Sequence, residues 1–168
     1  MLLNSSGLFY FRQNIQRRDR EENGKLLKEK IQSAKSVEIL GATGYKTFAK
    51  PSSGIEEPAI LREGLEKNVI GEIKVLLLHP DAKQTRMRAS RLGVPLEEYR
   101  SEIFKSIDFL KELKSKGKSV ALKLYNQRPI WKMIILDDFL WLQYYRPECH
   151  VEKMPVYGIY KKQDSANL

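Results

Sequence analysis

Lys132 is the single charge in the apolar run over 130–136, Ile-Trp-Lys-Met-Ile-Ile-Leu. An ammonium in such a run is paired, snorkels to water, or points into a cleft where an anion can meet it. The plain alternative is a solvated position on an edge strand. His79 closes a second apolar run, Ile73 to Leu78. There an imidazole either caps a loop, which is the favoured reading, or serves as a phosphate contact or base near neutral pH. His150 is the other histidine and Cys149 the one cysteine. Two histidines and a cysteine make no ordinary zinc site without carboxylates. A lone cysteine forms no intrachain disulfide and fits a reducing, cytoplasmic compartment. No motif surrounds it, so a structural thiol is the reading over a nucleophile, and no cofactor is expected.

Gly41-Ala42-Thr43-Gly44 follows a short apolar stretch, Val37 to Leu40. Glycines at a strand end let backbone amides approach an anion. The dinucleotide fingerprint lacks its third glycine, and the P-loop lacks its Gly-Lys-Ser/Thr ending, so neither fold is indicated. Thr43, Tyr45, Lys46 and Thr47 nevertheless stand where a strand hands over to a loop, the usual place for site residues in an open sheet. The bland reading is a tight turn.

The elements that must position these groups follow from periodicity. Strand composition over 119–125, 130–136 and 139–145, with Asp137-Asp138 between the last two, predicts a strand followed by a hairpin. Its near-continuous apolar content implies a sheet covered on both faces. Helical spacing is present over 20–36, 57–68 and 95–115, and a short helix is expected over 82–92 with Arg86, Arg88 and Arg91 along it. Short strands fall over 37–40 and 73–78, and another over 154–160. Helix–strand alternation of this kind points to an α/β fold with a mixed, largely parallel sheet flanked by helices. The aromatics Trp131, Trp141, Tyr144 and Tyr145 fit core packing or a subunit contact better than base stacking.

With 168 residues, 42% hydrophobic and 30% charged, the chain is the size of one ordinary globular domain. We read 1–23 as a basic arm or docking segment, 24–162 as the domain and 163–168 as a frayed tail. The net charge of +9 suits a phosphate-bearing partner, whether small molecule, nucleic acid or anionic surface, and equally suits plain solubility. No apolar run approaches the roughly 20 residues of a membrane span, so no transmembrane association is expected.

This order of elements, with Lys132 and Asp137 five residues apart, resembles the small phospholipase D-like domain over about 24–162. Active members of that family carry histidine, any residue, lysine, four residues and aspartate. On this chain Lys132 and Asp137 match, and the histidine position is Ile130. The family histidine attacks phosphorus and the lysines bind phosphoryl oxygens, so the resemblance implies a degenerate domain that keeps an anion site without the hydrolysis. Isoleucine has no lone pair to offer. The implied ligand set is Lys132 at the centre, with Lys123, Arg128, Asp137, Arg146, Arg86 and His79 around it, and no catalytic residue is assigned. The resemblance also implies a homodimer. The reading is thus a non-catalytic module that binds a phosphate-bearing ligand or mediates regulatory interactions. Two rivals are a phosphodiesterase or nuclease using a relocated histidine, and a nucleic-acid-binding protein.

Overall fold

A computed structural model describes residues 8–14 and 16–161. In chain order they form β1 (Leu8–Arg12), α1 (Arg17–Ser33), β2 (Ser36–Leu40), a π-helical turn (Tyr45–Ala49), α2 (Arg62–Lys67) and β3 (Glu72–Leu78). There follow α3 (Lys83–Leu92), α4 (Leu96–Ser115), β4 (Val120–Tyr125), β5 (Trp131–Leu136), β6 (Phe139–Tyr144), a 3-10 turn (Val151–Lys153) and β7 (Val156–Tyr160). The seven strands make one mixed sheet in the order β1-β7-β6-β5-β2-β3-β4.

The α/β expectation holds, but the sheet is mostly antiparallel rather than largely parallel. Only β2/β3 and β3/β4 run parallel, because only those pairs are joined by helical crossovers. Strands β5, β6 and β7 form an antiparallel meander, β5 lies antiparallel to β2, and β1 closes the edge against β7. Within the stretch 1–23 read as an arm or docking segment, Leu8–Arg12 is a strand of the sheet and Arg17 opens α1, while residues 1–7 and 15 lie outside the described residues. Tyr10 donates its hydroxyl to Asn23, which binds Asn14 at 2.7 Å, so the β1–α1 connection is held by buried polar groups. The expected tail 163–168 lies outside the described residues.

Helix α2 is shorter than the helix expected over 57–68. Ala59 N–H donates to Lys50 O and Leu61 N–H to Thr47 O, so that segment bonds to the π-helical turn instead of to itself.

The expectation that both sheet faces are covered is corrected. The core, with Leu27 and Ile31 of α1, Leu65 of α2 and Phe109, Leu110 and Leu113 of α4, lies on one face against Val37, Ile39, Ile73, Val75 and Ile134. Ala89 of α3 packs on the same side in a second cluster with Ala42, Tyr99, Ile103 and Tyr145. Side chains alternate along a strand. Met133, Ile135, Leu140 and Leu142 therefore point the other way and remain only half-buried. The apolar run hid this alternation because both faces use apolar residues.

Candidate ligand-binding site

Strand β2 ends in a turn gripped by two tyrosines. Tyr125 donates its hydroxyl to Gly41 O at 3.1 Å, and the Tyr145 phenolic oxygen accepts the Ala42 N–H at 2.9 Å. Gly41 N–H continues the ladder to Leu76 O at 3.0 Å. Gly44 sits at φ 73°, and a Cβ there would fall 2.5 Å from the Phe48 ring, so both conformation and space demand glycine. Its carbonyl accepts the Thr47 and Phe48 amides and starts the π-helical turn that presents Lys46.

Against this turn stand Tyr99 and Glu102 from α4, Lys132 from β5, and His150 and Glu152 from the segment after β6. Together they line a polar cavity of about 90 Å³. That is about three waters' share of liquid, enough for one tetrahedral anion. A second cavity, of about 80 Å³, also touches Lys46, Thr47, Lys132 and Glu152, and extends toward Asn14 and Asn23. Lys132 belongs to the walls of both.

Lys132 is 7% exposed on a central strand, not an edge. Among the described residues its side chain forms neither a hydrogen bond nor an ion pair within 4.0 Å. Burial pushes its pKa below the usual lysine value; the more distant Glu152 carboxylate pulls it back up and Lys46 pushes it down. A buried cation without a close counter-charge is unfavourable, so an anion entering the cavity would stabilise the charged form.

Its neighbours are tuned by the same burial. The Glu102 carboxyl is raised by desolvation, against which the Thr43 hydroxyl's hydrogen bond and Lys46 pull it down. His150 is lowered by burial, then by Lys46, with Glu152 opposing. The cavity thus alternates cationic and acidic groups and is not simply basic.

Arg88, one of the three arginines expected along α3, is buried and structural. Its guanidinium donates to Arg146 O, Pro147 O and Cys149 O, the last two at 2.7 Å, and lies 5.3 Å from the centre of the Tyr145 ring. It fixes the segment that carries His150 and Glu152. Arg86 and Arg91 are exposed.

Of the residues expected around the anion, only Lys132 lines this cavity. Lys123 lies on the opposite sheet face, opposite Leu76 in β3. Asp137 is at the far end of β5, five residues and roughly 16 Å from Lys132 at ordinary strand rise. There its carboxylate accepts the Lys35 and Ser36 amides at 3.0 and 2.8 Å. Arg128 and Arg146 are exposed near the β5 entrance and the β6 exit. His79 is a turn residue: its Nδ1 accepts the Asp81 amide at 3.1 Å, and its carbonyl accepts the Thr85 hydroxyl at 2.7 Å. His150, by contrast, does reach the Lys132 cavity.

Glu102 and Glu152 were not legible as site residues, since each is one acid among many on an amphipathic or irregular segment. Thr43, Lys46 and Thr47 were legible by their place after a strand that ends in glycines.

No family model matches the chain, and no curated protein matches it. Among solved structures it is similar to that of TrmBL2, described as an archaeal chromatin protein with a novel mode of DNA binding, with a TM-score of 0.44 and 14% identity. The match covers 90% of this chain and 45% of that one, so the chain spans less than half the length of that relative. A likeness of this degree bears on neither the chemistry of the cavity nor its ligand.

Proposed function

We propose that this chain is a non-catalytic, phospholipase D-like module that binds a small phosphate-bearing ligand in the cavity around Lys132. The observation that carries the reading is the buried Lys132 ammonium, which lines two adjoining cavities and has no hydrogen-bond or ion-pair partner among the described residues. A phosphoryl oxygen there would supply a charge-assisted hydrogen bond and offset the desolvation of the lysine. Lys46, on the turn that follows the glycines, supplies a second positive charge at the rim. Glu98, Glu102 and Glu152 keep the field near balance, which favours a single phosphate group over a polyphosphate.

Catalysis has no agent at the family's nucleophile position. Ile130 is 53% exposed, outside the cavity, and its carbonyl accepts the Tyr145 amide. Binding without turnover is the function this arrangement supports best.

The test is a titration of the full chain with inorganic phosphate and with methyl phosphate, followed by amide NMR and calorimetry. Shifts confined to 41–47 and 130–133, with binding abolished by Lys132→Met, are expected. Failure of both probes to perturb those amides would overturn the reading. Steady hydrolysis of a phosphodiester, lost in His150→Gln, would replace it with the relocated-histidine enzyme.

A further inference from the structure

Lys132 stands in the walls of two cavities, and the phosphate reading uses only one of them. The first, of about 90 Å³, takes the phosphate group; the second, of about 80 Å³, lies under α1. Lys46, Thr47, Lys132 and Glu152 line both, so the two spaces meet at these residues.

The rest of the second cavity differs in kind from the first. Gly24 and Leu27 of α1, Ile60, Ile134 of β5 and Trp141 of β6 give it apolar walls, and Leu27, Ile134 and Trp141 are buried. Its amide side chains are already engaged by the protein. Asn23 donates to Gln13 O and to Asn14 Oδ1, and Asn14 donates to Glu152 O. Gln143 donates to Val151 O and Met154 O and accepts the Trp141 indole N–H. A hydroxylated group seated among them would leave water without gaining partners, whereas a hydrocarbon group gains by leaving water.

We infer, resting on the phosphate reading of the first cavity, that the ligand is a phosphate monoester of a short apolar alcohol, with its hydrocarbon part in the second cavity. Size sets the length of that part. An apolar cavity of about 150 Å³ holds benzene, so one of about 80 Å³ holds roughly three or four carbons. The ester form follows from the arrangement of the two spaces. A phosphate that fills the first cavity has one neighbouring space for a substituent, and a monoester carries one where a diester carries two. Near neutral pH a monoester also holds close to two negative charges, which the Lys132 and Lys46 ammoniums match. Thr47, on the shared wall and 7% exposed, has a hydroxyl that makes no hydrogen bond among the described residues and would donate to the ester oxygen.

Calorimetric titration of the full chain with inorganic phosphate, methyl phosphate, isopropyl phosphate, glycerol 2-phosphate and diisopropyl phosphate tests the inference. Each buried methylene is worth roughly fourfold in affinity, so isopropyl phosphate should bind on the order of tenfold tighter than methyl phosphate. Glycerol 2-phosphate, the same carbon skeleton bearing hydroxyls, should bind more weakly than isopropyl phosphate. A Cβ at Gly24 would meet Ile60 Cδ1 at 3.4 Å, so Gly24→Val fills the cavity and should remove the difference between isopropyl and methyl phosphate. Ile60→Phe fills the same space from the opposite wall and decides the matter if the valine variant fails to fold. If inorganic phosphate binds but methyl and isopropyl phosphate bind alike, the inference falls and the phosphate reading stands. If no phosphate compound binds, both fall. Diisopropyl phosphate binding as tightly as the monoester would also overturn the inference, as would an isopropyl advantage that persists in both filled variants.

Discussion

Lys132 and Gln143 face one another directly across β5 and β6, both buried on the helix-covered side of the sheet, yet only one of them is satisfied. Gln143 donates to Val151 O and Met154 O, each at 2.9 Å, and accepts the Trp141 indole N–H at 3.1 Å. Lys132 finds no such partner among the described residues. Gln143 secures the segment that brings Glu152 to the cavity, while Lys132 is left directed at the space that segment encloses. Buried polar groups are nearly always paired. Arg88 Nε and Ser106 Oγ are also buried without a partner among the described residues, but Lys132 alone of the three carries its charge on a single amine at a cavity wall, which is where the proposed phosphate group would complete it.

Replacing Lys132 with methionine should raise stability while removing phosphate binding. The lysine pKa is lower in the fold than in the unfolded chain, so between those two values the unfolded state holds more protons and stability rises with pH. Below both values the full cost of the buried charge is present. Lys132→Met removes it, and a gain of about 1 kcal/mol, or about 2–4 °C in Tm, is expected at neutral pH. The gain should shrink as pH rises toward the usual lysine range, which thermal unfolding across pH will show.

His150 should titrate below its ordinary value of 6.5, as burial and Lys46 oppose its charging. The linkage sign is the same: stability falls as pH drops below 6.5 toward the lower folded value, because the unfolded chain takes up the proton first. Imidazole proton shifts in NMR give the midpoint, and His150→Gln should flatten that part of the stability curve. Phosphate binding, which brings negative charge beside the ring, should move the midpoint upward.

Asp137 should prove to be a structural residue although it matches the family motif. Burial pushes its carboxyl up, but the Ser36 and Lys35 amides and the Ser36 hydroxyl together outweigh this and hold it below its ordinary value of 3.8. Its contribution is therefore present above that pH and lost as pH falls through the lower folded value. Asp137→Ala should cost about 1 kcal/mol by chemical denaturation, with phosphate affinity unchanged. Asp137→Gly should recover part of the loss, since the residue sits at φ 54°.

Arg88→Met should cost about 3 kcal/mol, because three carbonyls after β6 lose a charged donor at once. The denaturation midpoint measures the cost. Loosening of that segment should also weaken phosphate binding by displacing His150 and Glu152, whereas Arg86→Met, on the exposed side of the same helix, should change neither quantity.

The sequence by itself determined most of the elements, though not β1 or the π-helical turn. Helical spacing located α1, α3 and α4, and the Asp137-Asp138 turn and its flanking apolar runs located the β5–β6 hairpin, because both signals arise from contacts a few residues apart. It also marked Lys132, since a charge in an apolar strand is legible without any partner. The tertiary structure alone decided the rest. Sheet order made the sheet mostly antiparallel, and alternation left Met133 and Leu142 facing outward, which an apolar run cannot reveal when both faces are apolar. Folding put Asp137 and Lys123 out of reach of Lys132 and brought in Glu102, Lys46, His150 and Glu152 from distant positions. Those meetings depend on how strands are paired and helices seated, a long-range outcome that no local spacing encodes.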